Sequence, residues 1–527
     1  MTQFGSSSAA TPKRLFEPGD FRRPFLILWA IFVVFYFSEL ADFSLSIDDE
    51  TALFRNNQAV WAGQDRWLIY VIERFLLPPP VMPFFPLFVF GGLASLGYIV
   101  MARRHEYDLA DWRVLLLFVL FSAFPALFFL LDFSFVTPSV GVALLLACLG
   151  LHVFDRAMDA LGEARRGKLA GLLALQALLG AGAIGVYQSF ILLVAVGCCG
   201  IFLLRYLREP GMTVRTILLV HACLLATLVA SIVLSYLINH GLQWMIGHES
   251  GISSRFVSPG RFIDSPWAVI QKVLQQYWAV YGGKRMIYGD RYVTFPVLLL
   301  LGMIALAARA PHRGWPAAVF VVLYMLGMTL IPFAIHLISG GRLPYRSLVS
   351  VPYVFWFFAA VLVLSHIGWL RRVGIVLVVI VCIQCLYTFS SFQAQKRLVL
   401  DHDRALASEI YQRIVTEIPD FDRRKTYPLE FYGAHEFRNP YKEVQGSTWS
   451  ASFFEWDNGN SSRILQFMAI LGYSNFERID RATRASLLPA LEEMPIWPAS
   501  GSVRVVNGTI LVRLGERPGR GQTMGEP

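Results

Sequence analysis

The residues best suited to chemistry form a short acidic segment near the N-terminus. Ser46-Ile47 precedes three adjacent carboxylates, Asp48, Asp49 and Glu50, just after an apolar run. A carboxylate can act as a general base toward a weak nucleophile such as a hydroxyl group, and crowding brings its proton affinity closer to neutral pH. A solvated acidic loop without a catalytic role is the simpler explanation of the segment alone. Its oxygens could also hold a hard divalent cation.

The acidic segment continues into a loop whose residue types are typical of carbohydrate contacts. The loop is rich in Asn, Gln, Asp, Arg and Trp, and it ends in Arg66-Trp67. Trp faces pack on the C–H surfaces of sugars, and the polar side chains hydrogen-bond to hydroxyl groups. Tyr187-Gln188, between two apolar runs, is a further candidate sugar or acceptor contact, although a tight turn between helices explains it slightly better.

Glycosyl transfer from a phosphate carrier also requires a cation, because negative charge develops on the leaving phosphate. The candidates for this role are Arg342, Arg346, Lys284, Arg285 and Arg291. Arg346 is favoured, since it is predicted to begin a membrane helix, where an arginine without an anionic partner is costly. Snorkelling of Arg346 to lipid headgroups is an equally good explanation.

The elements that must position these residues are membrane helices. The chain has 527 residues and is 55% hydrophobic and 16% charged, whereas soluble domains carry about 25% charged residues. Eleven apolar runs reach or approach the length that crosses a bilayer core. They lie at about 24–40, 81–101, 113–131, 138–154, 169–187, 189–204, 216–238, 293–309, 315–338, 348–367 and 373–390.

The net charge of +9 is explained by topology. Basic residues fill alternate loops, as the positive-inside rule requires of cytoplasmic loops. They are Arg103, Arg104 and Arg113; Arg156, Arg165, Arg166 and Lys168; Arg205, Arg208 and Arg215; Arg309 and Arg313; and Arg371 and Arg372. The segments 41–80, 239–291 and 391–527 then face the other side. No basic run interleaved with aromatic residues occurs in a soluble segment, so nucleic acid is not expected as a partner.

Two of the outer segments have patterns of their own. Residues 264–281 place Trp267, Ile270, Leu274, Tyr277 and Tyr281 at helical spacing, which predicts an amphipathic helix on the membrane surface or against the tail. The tail (residues 391–527) lacks a spanning run. Its pattern predicts helices at about 401–417 and 460–471 and strands near 425–432 and 503–514. The predicted fold is therefore a mainly α, polytopic membrane domain, 1–390, followed by an extracytoplasmic α/β domain, 391–527.

Several segments together resemble the Gtr-type glucosyltransferases that modify O-antigen in Gram-negative bacteria, within the GT-C superfamily of lipid-phosphate-dependent glycosyltransferases. These segments are Ser46-Ile47-Asp48-Asp49-Glu50, Arg66-Trp67, Tyr187-Gln188, Leu343-Pro344-Tyr345-Arg346, Gly446-Ser447, Phe453-Phe454-Glu455-Trp456-Asp457, Gly459-Asn460, and Met494-Pro495 to Trp497-Pro498 with Gly501. Asp65 departs from the pattern, because a Gly is expected before Arg-Trp.

The resemblance implies an inverting hexosyltransferase in the bacterial inner membrane, with its active site and tail facing the periplasm. Its donor would be undecaprenyl-phosphate glucose and its acceptor a lipid-linked O-antigen or related polysaccharide. By that analogy the pair Asp48–Asp49 supplies the base and Arg346 meets the donor phosphate. The expected partners are membrane lipid, a synthase that makes the donor and a flippase. No cofactor is expected, and a divalent cation at the acidic segment stays open.

Other functions are compatible with the same pattern. An enzyme of the same superfamily could use mannose, arabinose or galactose, since epimers differ only in the direction of a hydroxyl group. A polysaccharide or lipid transporter would have ionisable residues within its helices and broken helices near the midplane. The apolar runs here are almost free of charge, which favours an enzyme site at the membrane surface. A membrane-bound assembly partner, with the tail as its working part, is the third alternative.

Overall fold

The computed structural model describes residues 18–55, 57–77, 82–209, 212–247, 259–309, 314–341, 343–437, 448–449 and 451–519. Arg342, Gly446 and Ser447 lie outside these ranges. The helices are α1 (Pro18–Phe35), α2 (Phe37–Ala41), α3 (Asp49–Leu53), α4 (Ala59–Ala62), α5 (Trp67–Phe75), α6 (Phe85–Arg104), α7 (Trp112–Leu116), α8 (Phe118–Ser122), α9 (Pro125–Leu131), α10 (Thr137–Gly162), α11 (Arg166–Ile184), α12 (Phe190–Arg208), α13 (Val214–Ile246), α14 (Pro259–Asp264), α15 (Pro266–Tyr281), α16 (Arg285–Tyr288), α17 (Thr294–Ala307), α18 (Trp315–Leu330), α19 (Ala334–Ile338), α20 (Val351–Val363), α21 (Gly368–Glu417), α22 (Trp456–Gly459), α23 (Ser461–Ile470) and α24 (Arg481–Glu493). The strands are β1 (Tyr427–Tyr432), β2 (Phe476–Arg478), β3 (Val503–Val506) and β4 (Thr509–Arg513).

Seven helical segments are long and apolar enough to cross a bilayer, within the residues that the structure describes. They are α6, α10 with the turn before it, α11, α12, α13, α18 with α19, and α21. An eighth results if α7 to α9, bent by 53°, count as one span. Every predicted apolar run contains at least one helix in the described residues, but the predicted count of eleven spans is not confirmed. The reason is that α1 begins with charged residues, and α17 and α20 have only 14 and 13 residues, against about 20 for a full crossing.

Prolines explain two of the differences from the predicted spans. Pro125 opens α9, and because proline cannot donate to the preceding turn, α8 ends and the chain bends there. Proline is favoured in the first turn of a helix, and α20 begins at Val351, one residue before Pro352, rather than at 348. The prediction that Arg346 begins a membrane helix is therefore wrong. Arg346 lies in a 3₁₀ turn, Tyr345–Ser347, that packs against α9.

The helix bundle separates acidic and basic ends. The turn before α10 contacts α3 in the acidic segment, and Asp155, near the other end of α10, pairs with Arg104 and Arg205 at 3.2 and 2.6 Å. A helix of 26 residues is about 39 Å long. The loops predicted to be cytoplasmic thus meet at one end of the bundle, and the acidic segment lies at the other.

One continuous helix joins the membrane part to the tail. The predicted span 373–390 and the predicted tail helix 401–417 are both parts of α21, which has 50 residues and is about 75 Å long. A bilayer core is about 30 Å thick, so the second half of α21 extends beyond it. There Ile410 and Ile414 pack in the core of the tail. The predicted domain boundary at 390 falls inside this helix, and the division into two domains stays a prediction.

The tail contains a four-stranded sheet in the order β2-β1-β4-β3. β1 pairs in parallel with β2 and β4, and β3 pairs antiparallel with β4. The segment predicted as one strand, 503–514, is a hairpin, because Asn507 and Gly508 both have positive φ (50° and 78°) and form the two-residue turn that suits a twisted hairpin. Helix 461–470 confirms the predicted helix, and α24 was not predicted.

The amphipathic helix predicted over 264–281 is α15. Its tyrosines face the membrane helices: the hydroxyl of Tyr277 lies 2.9 Å from Oγ1 of Thr329, and the hydroxyl of Tyr281 donates to the carbonyl of Thr329 at 2.9 Å. Trp267 and Trp278 are exposed on the other side. This helix therefore packs against the bundle, and its exposed tryptophans remain consistent with a membrane-surface position.

Candidate active site

The predicted outer segment 41–80, here called the first loop, contains three adjacent carboxylates that have different environments. Asp48 adopts a positive φ of 80° and precedes α3, so that Asp49 and Glu50 enter the first turn of that helix and point inward. Asp49 and Glu50 are fully buried. The side chain of Asp48 is 43% exposed to solvent. Only Asp48 is therefore open to a substrate.

Asp49 stabilises the first loop through hydrogen bonds to both of its carboxylate oxygens. Its Oδ2 accepts a hydrogen bond from the backbone N–H of Ser46 at 2.9 Å, and its Oδ1 accepts one from the hydroxyl of Ser134 at 2.9 Å. Burial raises the pKa of Asp49 to about 8. With both oxygens engaged inside the protein, Asp49 connects the first loop to the turn before α10.

Arg463, a residue that sequence reasoning missed, reaches the first loop from α23 in the tail. Its guanidinium donates to Oδ1 of Asp48 at 3.0 Å and also to Glu50, and it lies 3.6 Å from Asp457. Burial raises the pKa of Glu50 to about 7, although Arg463 opposes this shift. The tail therefore contributes a cation directly to the acidic segment.

The local sequence explains how Arg463 is placed. Asn460 accepts a hydrogen bond from the backbone N–H of Ser462 at 3.0 Å and caps α23. Gly459 before it has a φ of 81°, and a side chain there would collide with the carbonyl of Gly433. The resembling segment Gly459-Asn460 is thus a tight turn and helix cap, and Arg463 follows in the first turn of α23.

Arginines from separate elements lie in the electrostatic environment of Asp48. The guanidinium of Arg66 lies 5.2 Å from the ring centre of Tyr187, and that of Arg346 lies 5.0 Å from Phe133. Burial lowers the pKa of Arg66; Tyr187 and Asp48 oppose this shift, and Arg346 adds to it. The structure therefore brings Asp48, Arg66, Arg346 and Tyr187 into one electrostatic environment. We call Arg55, Arg66 and Arg346 the arginine cluster.

The arginine cluster has capacity for an anion. Nε of Arg66 is buried and has no hydrogen-bond partner among the residues described. A buried donor without a partner is unfavourable, so this atom is suited to a ligand oxygen. Arginine binds phosphate oxygens through paired donors in a planar fork. Sequence reasoning singled out Arg66 and Arg346 but not Arg55.

A buried carboxylate and an indole orient Arg55. Its guanidinium lies 4.6 Å from the ring centre of Trp61 and 3.9 Å from Oε2 of Glu73. Nε1 of Trp61 donates to the same oxygen of Glu73 at 2.6 Å. Trp61 also lies below Arg66, at 5.7 Å. The indole of Trp61 therefore makes cation–π contacts with two arginines of the cluster.

The remaining predicted sugar contacts hold the first loop against its neighbours. Trp67 packs against Gly185 and donates from Nε1 to Oγ of Ser235 at 3.0 Å. The amide of Gln188 donates to the carbonyl of Gln64 at 3.1 Å. These contacts orient Arg66, and a direct sugar-binding role for Trp67 and Gln188 stays a prediction.

Asp65 stands where the resemblance leads us to expect a glycine. Its φ is 58°, the left-handed conformation that glycine adopts most readily. The amide of Asn239 in α13 donates to Oδ1 of Asp65 at 2.8 Å and to the carbonyl of Ala62 at 3.0 Å. The aspartate therefore keeps the backbone conformation expected of glycine and adds a hydrogen bond to a membrane helix.

The other cations proposed for the donor phosphate lie elsewhere or cannot be placed. Lys284, Arg285 and Arg291 are exposed around α16. In the part of the chain that the structure describes, no hydrogen bond or ion pair joins them to the arginine cluster. Arg342 lies outside the described residues. Their role in phosphate binding stays a prediction.

A second buried charge network lies behind the first loop, and sequence reasoning missed it. Nζ of Lys396 in α21 lies 3.2 Å from Glu39 and 3.3 Å from Asp132. Asp132 also accepts hydrogen bonds from the hydroxyls of Ser46 and Thr448, the latter at 3.1 Å. This network fastens the first loop, the end of α9, the tail and α21 to one another.

The described residues include no group of three or more His, Cys, Asp or Glu side chains arranged to hold a metal ion. Arg463 already occupies Asp48 and Glu50, and Ser46 and Ser134 occupy Asp49. A partly exposed carboxylate in the same electrostatic environment as several arginines suits proton removal from a nucleophile beside a leaving phosphate.

Comparison with known proteins agrees with this chemistry. The family model described as Glucosyl transferase GtrII matches residues 37–364, more than half of the chain. The match includes the acidic segment and the whole arginine cluster, and it ends before Arg463. No curated protein matches the chain. The chain therefore belongs to the GtrII glucosyl transferase family.

Proposed function

We propose that the protein transfers a glucosyl residue from undecaprenyl-phosphate glucose to a lipid-linked O-antigen or related polysaccharide at the periplasmic face of the inner membrane. The observation that carries the proposal is the open carboxylate of Asp48 beside the arginine cluster, in which the buried Nε of Arg66 lacks a partner among the described residues. A base and a phosphate site next to each other are what this reaction requires.

In the proposed step, a hydroxyl oxygen of the acceptor forms a bond to C1 of the glucosyl group. The bond between C1 and the phosphate oxygen breaks, and its electron pair stays on the phosphate. The hydroxyl proton passes to Asp48. Attack from the face opposite the phosphate inverts the configuration at C1. Arg66 and Arg346 stabilise the charge that develops on the leaving phosphate.

The lipid part of the donor would lie along α13. This helix contacts the first loop through Asn239, and Gln243 donates to the carbonyl of Ala62 at 2.8 Å. Only 22% of the most apolar part of α13 is buried inside the protein, so most of the surface of this helix is available to lipid chains. A polyprenyl chain in contact with α13 would bring its phosphate to the level of Arg66.

The test uses purified protein in lipid nanodiscs, radiolabelled polyprenyl-phosphate glucose and a lipid-linked O-antigen acceptor. We expect Asp48→Asn to lower the transfer rate by about 10²–10⁴-fold, the usual cost of losing a general base. Asp49→Asn is the matched control, because it changes a buried neighbour that we expect to affect folding rather than proton transfer. Equal activity of Asp48→Asn and wild type would contradict the assignment of the base.

The arginine cluster is tested through the donor. We expect Arg66→Gln to raise KM for the donor about tenfold or more, because a charge-assisted hydrogen bond contributes about 1.5–3 kcal/mol. Arg291→Gln, an exposed cation outside the cluster, is the control. Transfer from a mannosyl, arabinosyl or galactosyl carrier but not from the glucosyl carrier would change the sugar and keep the mechanism. Movement of labelled lipid without transfer would favour a transporter.

A further inference from the structure

The tail reaches the proposed active site through one side chain. Arg463 is separated from Asp48 by 415 residues in sequence, yet its Nη2 lies 3.0 Å from Oδ1 of that carboxylate. We propose that Arg463 is a positioning residue of the transfer site, so that the site is complete only when the tail is docked on the first loop. The proposal rests on the proposed function in taking Asp48 as the base.

The geometry leaves one oxygen of Asp48 for the acceptor. Oδ1 accepts from Arg463, whereas Oδ2 makes no hydrogen bond to any residue within the described ranges. A base must present a free lone pair within hydrogen-bond reach of the proton it removes. By holding one oxygen, Arg463 fixes the rotation of the carboxylate and points the other oxygen outward.

The charged residues around Asp48 come from different elements, and Arg463 differs from the arginine cluster in coming from the tail. Asp48 is influenced by Arg463 from α23, by Arg66 and Arg55 from its own loop, and by Glu50 beside it. Arg463 also neutralises the buried Glu50, which would otherwise repel the charge of Asp48. The cluster comes from the first loop and from the turn before α20, where we propose that the phosphate binds, and Arg463 approaches from the tail.

The docking of the tail has further support next to Arg463. The hydroxyl of Thr51 lies 3.1 Å from the side-chain oxygen of Gln466, one turn further along α23. Phe467 on the same helix stacks on Phe453 at 4.2 Å between ring centres. Ile47, just before Asp48, belongs to the same apolar core as Phe467. The first loop is therefore packed into the tail.

The decisive experiment compares Arg463→Met, Arg463→Lys and the control Arg481→Met, an exposed arginine of the tail. We expect Arg463→Met to lower kcat about 100-fold, the scale of a small misplacement of a reacting group, with KM for the donor changed by less than about threefold. Arg463→Lys should recover part of kcat, and Arg481→Met should match wild type.

Non-additivity separates positioning from a general loss of structure. In protein that already carries Asp48→Asn, Arg463→Met should lower the residual rate no further, because the carboxylate it positions is gone. An equal fold-loss in both backgrounds would overturn the proposal. A rise in activity of Arg463→Met would also overturn it, since it would show that Arg463 blocks Asp48 instead of positioning it.

A second measurement does not depend on transfer activity. Thermal unfolding of wild type, Asp48→Asn, Arg463→Met and the double variant measures the coupling of the two side chains directly. If no sugar donor supports transfer, the proposed function fails, and the coupling still decides whether Arg463 holds Asp48. Additive shifts in Tm would overturn the positioning role even if wild type transfers glucose.

Discussion

At the scale of single residues, three neighbouring carboxylates differ because the backbone turns at Asp48. Its positive φ directs its own side chain toward the open side of the loop and sends Asp49 and Glu50 inward. Burial then raises the pKa values of Asp49 and Glu50 to about 8 and about 7. Asp48 is the one carboxylate of the acidic segment that a substrate can reach.

These raised pKa values predict that stability falls as pH rises. Carboxylates of the unfolded chain titrate near 4, so folded Asp49 and Glu50 hold protons that they lose on unfolding, and their contribution to the free energy of unfolding decreases as pH rises through 7 and 8. The slope is at most about 1.4 kcal/mol per pH unit for each proton. Burial lowers the pKa of His402 and His435 in the tail, and these groups have the opposite effect below about pH 6.5. We therefore expect the decrease of Tm in nanodiscs between pH 7 and pH 8.

Asp49→Asn tests the origin of that slope. Asparagine keeps the shape of the side chain and cannot titrate, so the decrease of Tm between pH 7 and 8 should become shallower. Asp42→Asn, whose carboxylate is 63% exposed, is the control and should leave the slope as in wild type. An unchanged slope in Asp49→Asn would show that other groups carry it.

At the scale of elements, α21 connects the membrane part of the molecule to the tail. Its first half is apolar and its second half contributes to the tail core, and Lys396 lies between them in a buried network with Glu39 and Asp132. Asp403, about two turns further along the helix, accepts hydrogen bonds from the hydroxyl of Ser452 and the N–H of Phe453, both at 2.7 Å. The helix therefore fixes the height of the tail above the first loop.

Lys396→Met should destabilise the protein by about 3–5 kcal/mol, because it leaves buried Asp132 and half-buried Glu39 without their cation. The expected result is a marked decrease of Tm, measured by thermal unfolding at neutral pH. Arg397→Met is the control at the next position. Its side chain is 45% exposed, and its ion pairs with Asp42 and Asp401 are solvated, so we expect little change. Equal effects of the two variants would contradict the structural role of Lys396.

At the scale of the whole molecule, the chain separates its two kinds of surface. The basic residues Arg104 and Arg205 meet at Asp155 at one end of the bundle, and the first loop and the tail meet at the other. In the proposed reaction a carrier lipid would enter from the bilayer and a polysaccharide acceptor from water. A site between the helix ends and the tail suits both.

Single cysteines test this arrangement in intact cells. We expect Asp42→Cys in the first loop and Ser474→Cys in the tail to react with a membrane-impermeant maleimide from the periplasmic side. Arg165→Cys, between α10 and α11, should react only after lysis, as the positive-inside rule predicts. The unsubstituted protein gives the background of its native cysteines. Labelling of Ser474→Cys and Arg165→Cys from the same side would contradict the topology.

The positions of most helices could be predicted from the sequence. Apolar runs place helices because the lipid core requires every backbone group to be satisfied within the segment. The local residue patterns of the tail also predicted β1 and α23. The same runs left the number of full spans open, since Pro125 and Pro352 bend or shorten helices in ways that composition does not show.

The candidate site was only partly predictable. Asp48, Arg66, Tyr187 and Arg346 carry signals of residue type and position, and the structure brings them into one environment. Arg463 and Lys396 carried no such signal: each resembles many surface cations in a chain with 46 Lys and Arg residues. Their roles arise from contacts across 415 and 357 residues. Tertiary structure decided these roles, because only packing removes water from a charge and sets which opposite charge it meets.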